Sequence, residues 1–427
     1  MAGGGRQDPD GPQRRPTLES SDALTARAPS RPRHMNHRAL VISYSVIEDD
    51  PRVSRQIGWL IGDGWTVDTL GIGERSPQEV ANHFALAEQK PWLMTKWGTL
   101  LVHSLVPRRR RFRRLITDRV PPELLHRIRA GSYDLVVFNE FEFTPWVDDP
   151  RDFTTAARAA RIHLDMHEYH RPDIRRLTLG GRLTAHHYRW VRRQIGNPAF
   201  TSRSVVNAQI GALYAQELDI PAPVPIRNVP PYVNQTPSET NPDQVRLLYH
   251  GMAAWERGFR EILEALRELP ERFTMTFMLM PNAIVDALRE LIAAHPARDR
   301  IHIVPPAPMR DVAERINGYD LEIIYFPPVN PNLLYALPNK LFESIQGRLG
   351  IVLGESPAMA EIVREHGNGV VVPGFGGADL ARTLERLTNE DVVRMKAASD
   401  AASQKLNAEE EGRVFLELLD TPTQDRS

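Results

Sequence analysis

The segment 333–343 contains residue types that are suited to binding a nucleotide. A hydrophobic strand predicted over 321–326 leads into a loop rich in Pro and Asn, and a helix is predicted to begin near Pro338. Free N–H groups and a partial positive charge at a helix N-terminus favour an anion such as a diphosphate, and Lys340 adds a full charge. Glu343 can accept hydrogen bonds from a diol such as a ribose. The pattern indicates a nucleotide site, and the alternative is an ordinary βα turn with a surface Lys and Glu.

Two further motifs follow predicted strands in the same half of the chain. In the first, His250 and Gly251 end a strand, and Arg257 and Gly258 open a helix. Arginine suits bidentate contact with phosphate, and glycine lets a backbone approach a ligand closely. An arginine in solvent at a helix start is the alternative. The second motif, over 354–363, is again a strand, a turn and a helix.

Short apolar runs alternate with helical patterns over nearly the whole chain. The predicted strands are 39–44, 65–70, 133–138, 162–166, 246–250, 273–279, 301–304, 321–326, 350–353 and 369–372. This alternation is typical of βαβ units in parallel sheets. It predicts an α/β fold with two Rossmann-like, doubly wound domains that face each other across a cleft, with ligands beyond the carboxyl ends of the strands.

The Pro-rich stretch 225–242 marks the predicted domain boundary, because proline disfavours regular structure. The N-terminal domain is predicted over 37–232 and the C-terminal domain over 233–405. Residues 406–427 are predicted to be a C-terminal helix and tail, and one arrangement open to them is packing against the N-terminal domain. Residues 1–36 are rich in Gly, Pro, Arg and Ser and are predicted to be a disordered tail.

Composition excludes several classes of protein. A chain of 427 residues with 41% hydrophobic and 25% charged residues predicts two or three globular domains. Its formal net charge of −1 gives no general attraction to nucleic acid. The chain has no cysteine, which excludes disulfides, Cys-ligated zinc and thiol catalysis and fits a cytoplasmic protein. No run reaches the roughly 18 apolar residues of a membrane span.

The ordered motifs between 245 and 375 resemble the donor domain of GT-B fold glycosyltransferases, and more narrowly those of glycosyltransferase family four, the retaining "group 1" enzymes. The resemblance implies that Arg257 and Lys340 hold the donor diphosphate and neutralise the leaving group as catalytic cations. It also implies that Glu343, the second glutamate of the family's paired-glutamate motif, binds the ribose. The implied donor-binding residues are Gly251, Arg257, Gly258, Pro338, Asn339, Lys340 and Glu343.

The first half of the chain carries weaker signatures of the same family. They are the segments 49–53, 165–168 and 227–230, in the family's order. The resemblance implies an acceptor side formed by Asp50, Arg52, His167 and Glu168, with His167 as a catalytic residue near the transferred sugar.

One position departs from the family pattern. The first glutamate of the pair would fall at Tyr335, so the carboxylate contact with the donor sugar is not expected there. The resemblance implies transfer with retention by front-side attack, with cations stabilising the departing diphosphate and no metal or other cofactor required.

The sharpest charge run contains Arg108, Arg109, Arg110 and Arg111 and follows an apolar-rich segment, 92–106. Basic residues beside Trp and Leu can rest on an anionic membrane surface, and a solvated basic helix is the alternative. Nucleic acid is not an expected partner, because the aromatic-interleaved platform of that class is missing.

Three functions remain open at this point. The first is a glycosyltransferase that uses a nucleotide-diphosphate sugar and a glycan, a lipid-linked molecule or a small molecule as acceptor. It would be cytoplasmic or peripheral at the inner face of the membrane. The second is a nucleotide-sugar epimerase or a phosphorylase on the same fold. The third is an inactive sugar-nucleotide-binding partner protein.

Overall fold

A computed structural model describes residues 36–75, 79–171 and 179–421 of the chain. Apart from Asn36, the predicted disordered tail lies outside these residues. Two parallel sheets, each with helices between its strands, form the described part of the chain.

The first sheet has the strand order β3-β2-β1-β4-β5-β6-β7. Its strands are β1 (Arg38–Ser43), β2 (Thr66–Gly71), β3 (Asn82–Ala85), β4 (Leu135–Asn139), β5 (Arg161–Met166), β6 (Ser202–Val205) and β7 (Val224–Pro225). β1 pairs with β2 on one side and with β4 on the other. The strand order therefore reverses at β1, and a crevice opens beyond its carboxyl end.

The second sheet has the strand order β10-β9-β8-β11-β12-β13. Its strands are β8 (Val245–Met252), β9 (Phe273–Met280), β10 (Ile301–Val304), β11 (Leu321–Ile324), β12 (Gly350–Gly354) and β13 (Gly369–Val372). The order reverses between β8 and β11, which pair in parallel. The segments after these two strands are the ones in which the sequence predicts nucleotide binding.

Helices connect the strands and cover the sheets. They are α1 (Pro51–Gly62), α2 (Lys96–Leu105), α3 (Arg108–Leu115), α4 (Pro122–Arg129), α5 (Leu179–Arg193), α6 (Ala208–Leu218), α7 (Phe259–Glu268), α8 (Ala283–Ala293), α9 (Val312–Ile316), α10 (Pro331–Leu334), α11 (Asn339–Gln346), α12 (Pro357–His366), α13 (Gly377–Glu385), α14 (Asn389–Ser403) and α15 (Ala408–Asp420). Buried apolar side chains fill the space between them, as expected for strands covered on both faces.

The last helix, α15, packs against the first sheet although it follows the second sheet in the chain. The ring of Phe415 is fully buried and lies 5.5 Å from the ring of Trp59 on α1. The N-terminus of α15 is also bound to the segment between the sheets, since Glu411 Oε2 accepts from Arg227 N at 2.7 Å and Pro230 O accepts from Ala408 N at 2.9 Å. The chain therefore crosses between the two sheets twice.

The element order confirms the predicted α/β fold. Each predicted strand is present with ends within two residues of the predicted ones. The prediction missed β3, β6 and β7, and β7 begins the segment that was predicted to be a loop. β11 ends at Ile324, so the buried residues Tyr325 and Phe326 belong to the connection that follows.

Candidate functional site

Two glycines shape the connection that follows β8. Gly251 has φ +108° and Gly258 has φ +75°, conformations that L side chains rarely adopt. A Cβ at Gly258 would lie 2.1 Å from the carbonyl oxygen of Tyr325. Glycine is therefore needed for the start of α7 to pack against the end of β11.

This packing brings the predicted donor-site cations together. The guanidinium carbon of Arg257 lies 5.0 Å from the ring centre of Phe326, and Lys340 Nζ lies 5.6 Å from the same ring. Lys340 Nζ also lies 3.2 Å from the ring centre of Tyr249 and donates to His250 O at 2.5 Å. A Cβ at Gly251 would lie 3.9 Å from Lys340 Nζ. Arg257, Lys340 and Gly251 thus share one end of the second sheet.

Lys340 is almost fully buried, and this changes its charge. Burial lowers the pKa of Lys340 to about 7, with Arg257 acting in the same direction and the carboxylates of Glu322 and Glu343 opposing it. Lys340 belongs to the first turn of α11, whose N-cap is Pro338 and whose first residue is Asn339. The predicted helix N-terminus is therefore present at this position.

Glu343, one turn further along α11, is held by a histidine. His250 Nε2 lies 2.9 Å from Glu343 Oε2, and His250 Nδ1 lies 3.0 Å from Oε2 of the buried Glu322. Burial favours the neutral imidazole, but these two carboxylates outweigh it and raise the pKa of His250 to about 9. His250 is therefore an imidazolium at neutral pH.

On the first sheet, His167 follows the carboxyl end of β5. Its Nε2 lies 3.1 Å from Asn139 Oδ1 and 3.3 Å from Asp165 Oδ2, and its backbone N donates to Glu140 Oε1 at 2.9 Å. Burial opposes the charged form of His167, but the hydrogen bond that its ring donates to Asp165 and the charge of Glu140 raise its pKa. Glu140 is a non-glycine residue at φ +65°, a conformation that residues near functional sites adopt more often than others.

The structure buries Arg52, whereas the sequence-based expectation placed it on the acceptor side. Its guanidinium is buried and donates to both carboxylate oxygens of Asp165 at 2.6 and 2.7 Å and to Ile226 O at 2.6 Å. Asp165 also accepts from Gln56 Nε2. Arg52 therefore fixes the carboxylate that contacts His167. Asp50 is the N-cap of α1 and accepts from the N–H groups of Arg52 and the next residue, so its carboxylate stabilises the helix.

A cavity of about 230 Å³ lies between the two sheets and contains predicted residues from both. His167 and Glu168 line it on one side, and Arg257 and Pro338 line it on the other, with Tyr335 at the position of the missing glutamate. A larger cavity of about 960 Å³ beside β10 and α9 contains none of the predicted site residues.

Hydrogen bonds cross the cleft at this cavity. Asn207 Nδ2 donates to Tyr335 O at 2.8 Å, and Asn332 Nδ2 donates to Glu168 Oε2 at 3.2 Å. The hydrogen bond that fixes Tyr335 across the cleft therefore goes to its backbone carbonyl and not to its side chain. Asp50, Arg52, Lys340 and Glu343 are absent from the lining of the cavity. Lys340 lies beside it, because its Nζ is 5.6 Å from the ring centre of Phe326, which lines the cavity.

The sequence did not identify Glu140, Asp165 and Glu322 as parts of this site, and it assigned no role to His250. The feature of the sequence that could have identified these four residues is a charged or titratable side chain within an otherwise apolar strand, or directly after its carboxyl end. Such a side chain must find a partner when it is buried, and here the partners are the predicted site residues.

The basic helix α3 also differs from the expectation in one residue. Arg108, Arg109 and Arg110 are exposed, whereas Arg111 is buried and donates to the carbonyl oxygens of residues 102, 103 and 106 at 2.7 to 3.0 Å. Arg111 therefore joins α3 to α2 and is not available to a membrane surface.

The preceding helix α2 presents an apolar stripe to solvent. Trp97, Leu101 and Leu105 are spaced four residues apart and are 75%, 50% and 75% exposed. Across residues 36–75, 79–171 and 179–421, no helix has the length and apolar character needed to cross a bilayer. In the same ranges, no group of three or more His, Asp or Glu side chains is arranged to hold a metal ion.

Solved structures with the same architecture cover nearly the whole chain. Sucrose-phosphate synthase from Thermosynechococcus elongatus has a TM-score of 0.63 at 14% identity, over 90% of this chain and all of that one. A glycosyltransferase from Rickettsia africae has a TM-score of 0.63 at 13% identity, over 90% of this chain and 97% of that one. Anabaena HepE in complex with UDP and glucose has a TM-score of 0.62 at 13% identity, over 91% of this chain and 100% of that one.

No family model matches the chain, and no curated protein sequence matches it. At 13–14% identity, the likeness to the solved structures establishes the fold and leaves membership of glycosyltransferase family four a prediction. The chain has the two-sheet architecture of the GT-B fold, with its cleft between the carboxyl ends of both sheets.

Proposed function

We propose that the protein is a glycosyltransferase that moves a sugar from a nucleotide-diphosphate sugar to an acceptor. The observation that carries the proposal is the meeting of Arg257, Lys340 and the glycine-shaped backbone at the switch point of the second sheet, opposite His167 on the first. The likeness to a chain solved with UDP and glucose agrees with this use of the cleft.

On the donor side, two cations are available to a diphosphate. Arg257 and Lys340 lie against the ring of Phe326, and the N-terminus of α11 adds its partial positive charge. Glu343 is the carboxylate assigned to the ribose. Loss of one cation that stabilises the leaving group costs on the order of 2–4 kcal/mol in the transition state.

The proposed reaction retains the configuration of the sugar. The bond between the anomeric carbon and the diphosphate oxygen breaks, and its electron pair leaves with the diphosphate. An acceptor hydroxyl forms the new bond on the same face and gives its proton to the departing diphosphate. Arg257 and Lys340 stabilise the charge on that oxygen, and His167, held by Asp165, faces the transferred sugar. The proposal requires no metal for these steps.

Release of nucleotide from a panel of UDP-, GDP- and dTDP-sugars, with and without candidate acceptors, tests the proposal. We expect acceptor-dependent release that falls at least tenfold in Lys340→Ala and Arg257→Ala. Release that requires inorganic phosphate would instead identify a phosphorylase, and an altered sugar without transfer would identify an epimerase. Nucleotide binding without turnover under every condition would identify an inactive partner protein.

We further propose that the protein is cytoplasmic, that it binds the inner face of the membrane through α2 and α3, and that its acceptor is lipid-linked. The apolar stripe of Trp97, Leu101 and Leu105 lies next to the exposed arginines 108–110 in the chain. Apolar side chains beside basic ones suit the boundary between anionic headgroups and acyl chains.

Sedimentation with liposomes tests the membrane surface. We expect binding to vesicles that contain phosphatidylserine and not to phosphatidylcholine vesicles. Changing arginines 108–110 to Ser should abolish it. The matched control changes Arg289, Arg298 and Arg310 to Ser, which removes the same charge from exposed positions around the second sheet. Equal loss of binding in both variants would contradict a localised surface.

A further inference from the structure

We propose that His250 is a positioning residue for the donor nucleotide. It holds the carboxylate of Glu343 in the orientation in which that carboxylate accepts hydrogen bonds from the ribose hydroxyls. The inference rests on the proposed function, because it takes Glu343 as the group that meets the ribose.

Hydrogen bonds engage every polar atom of His250. Its backbone N and its Nδ1 contact the two carboxylate oxygens of Glu322 at 3.2 and 3.0 Å. Its Nε2 contacts Glu343 Oε2 at 2.9 Å, and its carbonyl oxygen accepts from Lys340 Nζ at 2.5 Å. A ring whose two nitrogens both face carboxylates donates at both only as an imidazolium. The contacts therefore fix the position, the orientation and the charge of the ring.

Glu343 needs such a partner to present one defined oxygen. Its side chain is 17% exposed and belongs to the second turn of α11. Because His250 takes up one lone pair of Oε2, Oε1 has the larger capacity left to accept from a ligand. A carboxylate that is already ordered loses less side-chain entropy when a ligand binds, which increases the affinity for the hydroxyls it meets.

The charges around the ring explain why a cation is required. Glu322 reaches it from β11, and Glu343 and Lys340 reach it from α11. Arg257, in the turn before α7, acts on Lys340, and Arg55 on α1 acts on Glu343. Without a positive ring, two carboxylates would face one buried position, and repulsion would turn Glu343 away.

A comparison of each nucleotide with its 2′,3′-dideoxy form distinguishes this positioning role from a general structural one, because only the ribonucleotide has the hydroxyls that Glu343 would meet. The dissociation constants of UDP and GDP are compared with those of their 2′,3′-dideoxy forms for the wild type and for His250→Leu. We expect His250→Leu to weaken binding of the ribonucleotide about tenfold or more, the value of one hydrogen bond to a charged group, and to leave binding of the dideoxy form unchanged. Wild-type discrimination between the two forms should therefore disappear.

Four further variants protect the test from misfolding and from an indirect effect. His250→Leu with Glu322→Gln removes the fully buried charge that would otherwise lose its partner, and it should show the same loss of discrimination. Glu322→Gln alone keeps the contact between His250 and Glu343 and should retain discrimination. Glu343→Gln should lose it, and adding His250→Leu to Glu343→Gln should cause no further loss.

The outcomes distinguish this inference from the proposed function. Equal weakening of both nucleotide forms by His250→Leu, or discrimination that persists in it, would overturn the positioning role while nucleotide binding stands. If wild-type protein bound neither UDP nor GDP, the proposed function would fail together with the inference.

Discussion

Binding of a nucleotide diphosphate should take up a proton at slightly alkaline pH, because Lys340 is partly neutral in the empty site. Its Nζ is buried between the ring of Tyr249 and the carbonyl oxygen of His250. Burial lowers the pKa of Lys340 to about 7. A diphosphate beside Nζ favours the charged form and raises that pKa in the complex.

The size of the uptake follows from the pKa. A lysine with a pKa of about 7 is about 90% charged at pH 6, half charged at pH 7 and about 10% charged at pH 8. If the complex keeps Lys340 charged, binding takes up about 0.1 proton at pH 6, about 0.5 at pH 7 and about 0.9 at pH 8. Since the complex then carries more protons than the free protein, affinity falls as the pH rises between the two pKa values, by up to about tenfold per pH unit.

Isothermal titration calorimetry of UDP or GDP in two buffers of different ionisation enthalpy measures this uptake. The difference between the two apparent binding enthalpies gives the number of protons. At pH 8 the terminal phosphate contributes little, since the second pKa of a phosphate monoester is near 6. His250 also contributes little, because its pKa of about 9 keeps it mostly charged at that pH.

Lys340→Arg is the matched control, because arginine stays charged at every pH used. We expect this variant to bind the nucleotide with an uptake near zero at pH 8. An uptake below about 0.2 proton in the wild type, or the same uptake in the variant, would refute the assignment of Lys340 to the diphosphate.

Three further predictions concern stability. Arg52→Met should lower the free energy of unfolding by about 3–5 kcal/mol, because it leaves the Asp165 carboxylate buried without its guanidinium partner; urea unfolding measures this, and a loss under about 1 kcal/mol would contradict it. Gly258→Ala should lower the melting temperature, because the new Cβ would overlap a backbone carbonyl at positive φ, whereas Gly318→Ala, with open space around it, should not. His163, buried and with its pKa lowered to about 4, should contribute stability that is present above pH 6.5 and lost as the pH falls towards 4. His163→Gln should remove about 3 kcal/mol of that pH dependence in urea unfolding, and an unchanged profile would show that the ring is not neutral.

The fold was predictable because most strands are buried on both faces and read as apolar runs. The residues 39–42 of β1 are fully buried, and the sequence there is Ala-Leu-Val-Ile. β6 was missed because its sequence, Ser-Arg-Ser-Val, is mostly polar. Ser202 and Ser204 contact the two ring nitrogens of His163, at 2.8 and 2.9 Å, inside the sheet. The serines of β6 are accommodated in the sheet by hydrogen bonds to His163, so this strand lacks the apolar pattern on which the prediction depended.

The site was predictable where residue type and strand end coincided. Arg257 and Lys340 follow β8 and β11, and the structure brings them to one ring. Arg52 and Arg111 were misplaced because spacing does not show which way a long side chain turns. A guanidinium with several carbonyl or carboxylate oxygens in reach becomes buried. For Arg52 those oxygens belong to Asp165 and Ile226, which are distant in sequence, and for Arg111 they belong to the carbonyl groups at the end of the preceding helix.

His250 and Lys340, two buried groups of the second sheet, differ in their charge when the site is empty. His250 keeps its charge at neutral pH because two carboxylates are hydrogen-bonded to its ring, whereas burial, with Arg257 acting in the same direction, leaves Lys340 with only part of its charge. A full charge on Lys340, next to Arg257 and His250, would cost free energy at this buried position, because only the carboxylates of Glu322 and Glu343 oppose three cations. A lysine with a pKa near 7 avoids this cost until a diphosphate arrives and then supplies its charge by taking up a proton. An arginine at position 340 would keep its charge in the empty site, so Lys340→Arg should be less stable without nucleotide than the wild type at pH 8 and should regain stability when UDP or GDP binds.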